Sequence, residues 1–240
     1  MNPFLSIIIP AHNEANRLPD TLEQVFGFLK KQTFPSEVIV VENGSNDKTF
    51  EIAQKFTAQH PNLRVIQSER GKGAAVKRGM LTAKGAYRFM CDADISMPVE
   101  EIAKFIPPAL NNFDIVIASR EAKGAVRYNE PPYRHFGGRA INFIIQLFIL
   151  PGLNDTQCGF KCFSAKVTED IFHLQTLHGW SFDIELLYIA RCHKYTVQEI
   201  PIHWVHHSET KVSAVRDAIR MIQDIFRIRI NALRGMYGTR

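Results

Sequence analysis

Short apolar runs alternate with helical spacing along the first 120 residues of this chain. Near-continuous apolar runs of this kind are typical of strands buried on both faces of a parallel sheet. Apolar residues three and four positions apart predict helices between them. The runs predict five strands, at residues 5–9, 38–41, 63–66, 87–91 and 115–118.

Helical spacing fills the segments between these strands. It predicts helices over residues 18–29, 47–60 and 100–110, and a further helix that opens at the glycine-bounded turn of residues 71–73. Strands that alternate with helices of ten or more residues imply βαβ units. We therefore predict an α/β fold with a Rossmann-like, mostly parallel sheet flanked by helices.

The second half of the chain has a different pattern. Residues 133–150 are basic at their start and then apolar, and residues 154–204 predict a short strand, a helix over 182–192 and a final strand over 197–204. Residues 212–234 combine apolar residues at helical spacing with arginines at other positions, which predicts a basic amphipathic helix. No linker divides the chain, so we expect one domain over residues 1–240.

Composition narrows the class of protein only a little. The net charge of +5 suits polyanions such as nucleotides or anionic lipids, and it equally suits a solvated basic surface. Four cysteines without a CxxC pair indicate reduced thiols, hence a cytoplasmic protein. The N-terminus lacks the pattern of a signal peptide, and no apolar run reaches the ~18 residues of a spanning helix. Any membrane contact should therefore be peripheral.

Asp92 and Asp94 are the strongest candidates for chemistry, because they follow directly on the fourth predicted strand. Two carboxylates at a strand end can face one divalent cation, and Mg²⁺ or Mn²⁺ leaves coordination positions free for substrate phosphates. Alone, the pair is also compatible with solvated loop acids.

Three further polar turns follow predicted strands, at residues 10–14, 42–47 and 71–74. Each could be only a turn with a helix cap. Because ligands bind at the carboxyl ends of parallel strands, the four turns together predict one cleft floor. Lys72 and the amides near Gly71 and Gly73 could bind an anion there.

These four segments resemble the family 2 glycosyltransferases of the GT-A fold. Residues 155–161 (DTQCGFK), 180–185 (WSFDIE) and 207–213 (HSETKVS) are similar to the branch of dolichyl-phosphate glucosyltransferases and dolichyl-phosphate mannose synthases, and the glucosyltransferases are the closer match. The resemblance implies a metal-dependent, inverting enzyme that transfers a hexose from a nucleotide diphosphate-sugar, UDP-glucose being the first candidate, to a polyprenyl phosphate.

The resemblance also implies site residues. Residues 1–120 would bind the donor and residues 121–215 the acceptor. Asp92 and Asp94 would bind the metal, and Asp155 and Arg120 would join them as catalytic residues. The expected donor contacts are Pro10, Ala11, Asn13, Glu14, Glu42, Asn43, Gly71, Lys72, Asp92, Ala93 and Asp94. The expected acceptor contacts are Arg120, Arg134, Arg139, Gln157, Trp180, Asp183 and Lys211.

One departure concerns the nucleotide. Many family members carry two aspartates where this chain has Glu42 and Asn43. Asparagine has no charge but can both donate and accept a hydrogen bond. The choice of nucleotide is therefore less defined than the general activity.

The acceptor determines whether a catalytic base is needed. A lipid phosphate is mostly dianionic at neutral pH and needs cations rather than a base; Arg127 is a further candidate cation. A hydroxyl acceptor would need a carboxylate, for which Asp155 and Asp183 are available. Both acceptors stay open.

Two segments indicate contact with a membrane surface, residues 133–150 and the C-terminal helix, and the expected location is the cytoplasmic face. Packing on the core or a dimer interface would explain the same patterns. A non-catalytic binding protein of this fold and a nucleotidyltransferase are further rivals, although the latter should carry a glycine-rich basic loop where this chain has residues 10–14. His203, His206 and His207 lack the ligands that would complete a zinc site. We expect no nucleic-acid partner, and no pattern indicates an oligomeric state.

Overall fold

A computed structural model of the chain describes residues 2–94, 96–206 and 214–238, apart from the side chains of Arg134 and of residues 214–217. The strands within these residues are β1 (Leu5–Ala11), β2 (Ser36–Glu42), β3 (Leu63–Gln67), β4 (Tyr87–Met90), β5 (Ile115–Ser119), β6 (Val126–Tyr128), β7 (Lys161–Ser164), β8 (Val197–Pro201) and β9 (His203–Val205). Over the same residues, seven strands form one sheet in the order β3-β2-β1-β4-β7-β5-β8, and β6 pairs with β9.

Strand β7 is antiparallel to both of its neighbours, whereas the other pairs of the main sheet are parallel. Its first residue, Lys161, therefore lies at the edge of the sheet where the parallel strands end, opposite Met90 of β4 and Ile117 of β5. The predicted α/β class with a mostly parallel sheet is confirmed.

Helices cover both faces of the sheet: α1 (Leu18–Lys30), α2 (Thr49–Thr57), α3 (Lys72–Thr82), α4 (Pro132–Phe148), α5 (Ala165–Ile171), α6 (Phe182–Cys192) and α7 (Ala214–Leu233). The alternation of strand side chains divides the core into two clusters. Ile7 and Ile9 of β1 belong to the cluster that contains the buried residues of α1, and Ile8 belongs to the one that contains those of α3.

Two elements differ from the sequence-based prediction because of proline. The helix expected over residues 100–110 is a 3₁₀ helix, Val99–Phe105, since Pro107 and Pro108 provide no amide donors and disfavour helical geometry before them. The strand expected over residues 197–204 is split after Pro201, so that β8 joins β5 while β9 pairs with β6.

Helices α4 and α7 pack beside each other on the outside of the fold. Helix α7 buries Met221, Ile225 and Ile228, while α4 buries Ile145. None of the helices in the described part of the chain is both long and apolar enough to cross a membrane. Lys211, the segment 207–213 and the expected first turn of the C-terminal helix lie outside the described residues.

Candidate active site

The turns after β1 and β2 are bonded into one unit. Ala11 pairs with Glu42, and the Asn43 amide donates to the Ala11 carbonyl over 3.1 Å. Asn13 has a left-handed backbone (φ 54°), and its side-chain Oδ1 accepts from the Asn46 amide at 2.8 Å. The structure therefore places the predicted donor residues of the two turns side by side.

Two acids of this unit are engaged within the protein. Glu14 forms a two-point ion pair with Arg17, at 2.7 and 3.0 Å. Glu42 accepts from the Ser45 amide and from Gln67. Burial alone would raise the pKa of Glu42, but these hydrogen bonds outweigh it, and the pKa lies below its ordinary value. Both acids therefore hold turns in place.

Asn43 is the residue of these turns with an open acceptor. Its side chain is buried, and its Oδ1 accepts no hydrogen bond from any described residue. A buried carbonyl oxygen without a donor costs free energy, which a ligand N–H could restore. This suits the predicted contact with the nucleotide.

The start of α3 is packed against the loop of residues 175–179. Gly71 has φ 132°, and a Cβ there would lie 2.3 Å from the His178 carbonyl oxygen. That oxygen accepts from the amide of Gly73 at 2.9 Å. The expectation that this amide meets an anion is therefore wrong, because it already has a partner, and an anion would meet the Lys72 side chain instead.

Lys72 faces the end of β4. Its Nζ lies 2.7 Å from Oδ1 of Asp92 and 5.0 Å from the centre of the half-exposed Trp180 ring. A Cβ at Gly159 would lie 2.2 Å from Oδ2 of Asp92, so a larger residue there would displace the Asp92 carboxylate. These contacts fix the Asp92 carboxylate between α3 and the segment that leads into β7.

A divalent cation would find two carboxylates here, Asp92 and Asp94, both partly exposed. Oδ1 of Asp94 accepts from the Ser96 amide at 3.2 Å. Among the described residues, no group of three or more His, Cys, Asp or Glu side chains could hold a metal alone. The two carboxylates fit Mg²⁺ or Mn²⁺ if substrate phosphates provide further ligands, because such ions are often bound by only one or two carboxylates of the protein.

A buried ion pair lies beside Lys72. Lys161, at the first position of β7, is 2.9 Å from Asp183 of α6 and also donates to the Cys158 carbonyl at 2.5 Å. Burial raises the pKa of Asp183 above its ordinary value, although Lys161 and Lys72 oppose the shift. Asp183 is only 4% exposed, so protein atoms cover nearly all of its side chain.

Arg120 and Asp155 form a second ion pair, at the end of β5. The guanidinium donates to both oxygens of Asp155, at 2.7 and 2.9 Å, and lies over the Trp204 ring. Burial alone would raise the pKa of Asp155, but Arg120 lowers it below its ordinary value. Asp155 has no exposed surface, so the structure assigns it to positioning Arg120.

The arginines expected at the acceptor are also paired. Arg127 contacts Glu121 and Glu130, and Arg139 donates to Glu121 at 2.9 Å. Arg139 is exposed, so a phosphate could compete for it, whereas Arg127 is largely covered. The side chain of Arg134 and all of Lys211 lie outside the described residues. Gln157 is partly exposed beside Asp155.

The structure thus brings together the predicted residues Lys72, Asp92, Trp180 and Asp183, with Arg120 and Asp155 further along the same edge. Residue-level reasoning missed Lys161, whose charge acts on both Asp183 and Asp155. Its signal was a lysine between Phe160 and Cys162, since a charge in an apolar strand needs a buried partner.

Glu185 of α6 organises the loop against α3. Its buried carboxylate accepts from the amides of Thr176 and Leu177, at 2.9 and 2.7 Å, and from the hydroxyl of Tyr237 at 2.8 Å. The predicted segment 180–185 therefore contributes both a cleft residue, Trp180, and the anchor of the loop that holds the Lys72 turn.

The sequence profile described as "Glycosyl transferase family 2" matches residues 6–172, about two thirds of the chain. The chain belongs to this family. Its catalytic class is therefore that of a glycosyltransferase, as the sequence motifs indicated.

Curated members of the family are similar along nearly the whole chain. A dolichyl-phosphate beta-glucosyltransferase of Trichomonas vaginalis is 33% identical over 250 residues, which covers 99% of this chain and 74% of the relative. The enzymes of that name from Dictyostelium discoideum and Homo sapiens are 32% and 30% identical, and the matches cover 98% and 97% of this chain and 77% of each relative.

Solved structures agree on the fold. Glucosyl-3-phosphoglycerate synthase from Mycobacterium tuberculosis, crystallised with Mn²⁺, uridine-diphosphate and phosphoglyceric acid, superposes with a TM-score of 0.69 at 16% identity. The match covers 99% of this chain and 80% of that one. The expected GT-A architecture of this family 2 member is confirmed.

Proposed function

We propose that this protein transfers glucose from a nucleotide diphosphate-sugar, with UDP-glucose as the first candidate, to a dolichyl or other polyprenyl phosphate. The observation that carries the proposal is the identity of 30–33% to dolichyl-phosphate beta-glucosyltransferases across both halves of the chain. The cleft that contains Lys72, Asp92 and Asp94 offers groups that such a reaction requires.

The donor would lie along the ends of β1, β2 and β4. Uracil carries a ring N–H, and the open acceptor on Asn43 is suited to it. Lys72 would contact the diphosphate as a point charge on a flexible stem. Asp92 and Asp94 would hold Mg²⁺ or Mn²⁺, which would offset the charge on the departing diphosphate.

The two candidate bases, Asp155 and Asp183, are both engaged in ion pairs, which favours a phosphate acceptor. Asp155 is bound at both oxygens by Arg120, and Asp183 is buried against Lys161. A phosphate dianion needs no base and can attack the anomeric carbon directly. A single displacement of this kind inverts the configuration, through a transition state with oxocarbenium character, as in glycoside hydrolysis.

We further propose that the enzyme works at the cytoplasmic face of a membrane, as a peripheral protein. Helices α4 and α7 expose apolar side chains next to one another, α7 also exposes Arg227, and Arg234 is exposed directly after the end of α7. A polyprenyl chain stays in the bilayer, so an interfacial enzyme could reach its phosphate without extracting the lipid.

The activity test compares acceptors directly. Purified full-length protein with radiolabelled UDP-glucose and Mn²⁺ should transfer label to dolichyl or polyprenyl phosphate in detergent, giving a product that mild acid cleaves as a glycosyl phosphate. Asp94→Ala should lose at least a hundredfold in rate, in the range expected when transition-state charge stabilisation is removed. Label on a hydroxyl acceptor alone would favour the rival reaction, and equal turnover by Asp94→Ala would remove the metal role.

A further inference from the structure

Lys72 is surrounded by acids. Its Nζ lies 2.7 Å from Asp92, and the charges of Asp183 and Asp94 also act on it. The cleft thus contains a cation of its own on an expected metal ligand.

The Asp92 carboxylate has little room for a second cation in this arrangement. Oδ1 contacts Lys72, and Oδ2 lies against the backbone at Gly159. Two positive charges on one carboxylate repel each other strongly, because a partly buried site screens them poorly. A divalent ion that binds without the donor must therefore displace Lys72 from Asp92 or bind against the repulsion of its charge.

We propose that Lys72 couples cation binding to donor binding: it holds Asp92 while the donor is absent and transfers to the diphosphate when the donor arrives, which frees Asp92 for the divalent ion. This rests on the proposed donor being a nucleotide diphosphate-sugar. Lysine suits the role because its charge sits on a flexible four-carbon stem. Trp180, 5.0 Å from Nζ, offers a ring face along which the ammonium can move.

Formal charges give the expected direction of the change in cation affinity when Lys72 is substituted. Asp92, Asp94 and Asp183 together with Lys72 and Lys161 leave one net negative charge, and loss of the Lys72 charge leaves two. The site without Lys72 should therefore attract a divalent cation more strongly in the absence of nucleotide. Loss of the Lys72 charge should also remove most of the increase in cation affinity that the nucleotide produces.

The test measures Mn²⁺ binding to the purified full-length protein by electron paramagnetic resonance of free Mn²⁺, with and without UDP. In the unsubstituted protein UDP should tighten Mn²⁺ binding on the order of 5- to 150-fold, the usual range of coupling between sites. In Lys72→Gln, Mn²⁺ alone should bind severalfold more tightly, and UDP should change its affinity less than about threefold.

Two further variants define the comparison. Arg78→Gln removes one positive charge from the exposed face of the same helix and should leave both Mn²⁺ affinities unchanged. Lys72→Met keeps an apolar stem against Trp180 and should behave like Lys72→Gln. Thermal unfolding of each variant checks that it is folded, and Lys72→Met takes the place of Lys72→Gln if the latter is not.

The outcomes separate this inference from the proposed function. If Mn²⁺ alone binds the Lys72 variants no more tightly than the unsubstituted protein, while UDP still tightens Mn²⁺ binding to the latter, the coupling role is wrong and the donor site stands. If the unsubstituted protein binds neither UDP nor Mn²⁺ with UDP, the proposed function itself fails.

Discussion

Buried charges near the cleft occur as pairs that join distant parts of the chain. Arg120 follows β5 and meets Asp155 before β7, and Lys161 of β7 meets Asp183 of α6. Removing one member of such a pair leaves the other charge buried without compensation. Breaking either pair should therefore destabilise the fold, and each intact pair holds a side chain at the edge of the sheet.

Asp155→Asn should lower the free energy of unfolding by about 3 kcal/mol, near the lower end of the range for a broken buried pair, because Arg120 is partly exposed and can turn toward solvent. Urea denaturation at neutral pH measures the change. Glu23→Gln removes an exposed carboxylate of α1 and should shift stability by less than about 0.5 kcal/mol. Equal stability of Asp155→Asn and the unsubstituted protein would contradict the assigned pairing.

The same pair predicts a pH dependence. The pKa of Asp155 is lowered below its ordinary value of 3.8, so the unfolded chain takes up a proton more readily than the folded protein. The stabilisation is therefore complete above that ordinary value and is lost as pH falls through the lowered pKa. The stability difference between the unsubstituted protein and Asp155→Asn should stay constant from about pH 7 to pH 5 and shrink below about pH 4.

Sequence reasoning reached the identity of these residues but not their partners. The family resemblance implied Arg120, Asp155 and Asp183 as site residues. Which carboxylate faces which cation depends on β7 lying between β4 and β5, a pairing of segments about 70 and 45 residues apart that no local pattern specifies. For the same reason Asp155 was predicted to act on substrate, whereas its carboxylate holds Arg120.

Strands with long apolar runs were predictable from the sequence, and the short strands and helices were not. Strands β1 and β2 were found within two residues of their ends, because burial on both faces requires continuous apolar sequence. The three-residue strand β6 and the seven-residue helix α5 are too short to show a period, and neither was predicted. The close fit of α3 against the 175–179 loop was not predicted either, although it requires the glycines at positions 71 and 73 of the sequence.

Gly73→Ala tests that fit. A Cβ at Gly73 would lie 2.6 Å from the Leu177 carbonyl oxygen and 2.7 Å from Cβ of Phe182, so backbone must move. We expect a loss of about 1–3 kcal/mol in stability, the usual cost of overpacking, and weaker UDP binding because the neighbouring Lys72 shifts. Thermal unfolding with and without UDP measures both effects.

Gly27→Ala is the matched control for this substitution. Gly27 lies inside α1, and a Cβ there would meet no atom within 4 Å. It should stabilise the protein by about 0.5–1 kcal/mol, because alanine favours the helix more than glycine does. Unchanged stability and UDP binding in Gly73→Ala would show that the loop can move away from α3 at no cost.

For the whole molecule, α7 presents three separate faces. Met221, Ile225 and Ile228 pack into the core, whereas Ile219, Phe226 and Leu233 are exposed on another side. Arg220 and Arg227 are seven residues apart, about two helical turns, so they lie on one side of α7 that is distinct from both apolar faces, and Arg234 follows directly after the helix. An ordinary surface helix has no second apolar face, but a helix lying in an anionic membrane surface combines one with basic residues.

Vesicle binding tests whether the exposed apolar side chains of α4 and α7 contact a membrane or a second copy of the chain. Phe143→Ser combined with Phe226→Ser should weaken binding to both neutral and anionic vesicles, roughly tenfold or more for each phenylalanine, because each withholds about 1.5–3 kcal/mol of apolar burial. Arg227→Gln combined with Arg234→Gln should weaken binding to anionic vesicles alone, by about 1 kcal/mol for each charge, and should reduce its sensitivity to salt. The two double variants control for each other, since one removes area and the other charge. If neither changes vesicle binding while the phenylalanine variant converts a dimer to a monomer in sedimentation, the exposed apolar face joins two copies of the chain, and the proposed position at the membrane is wrong.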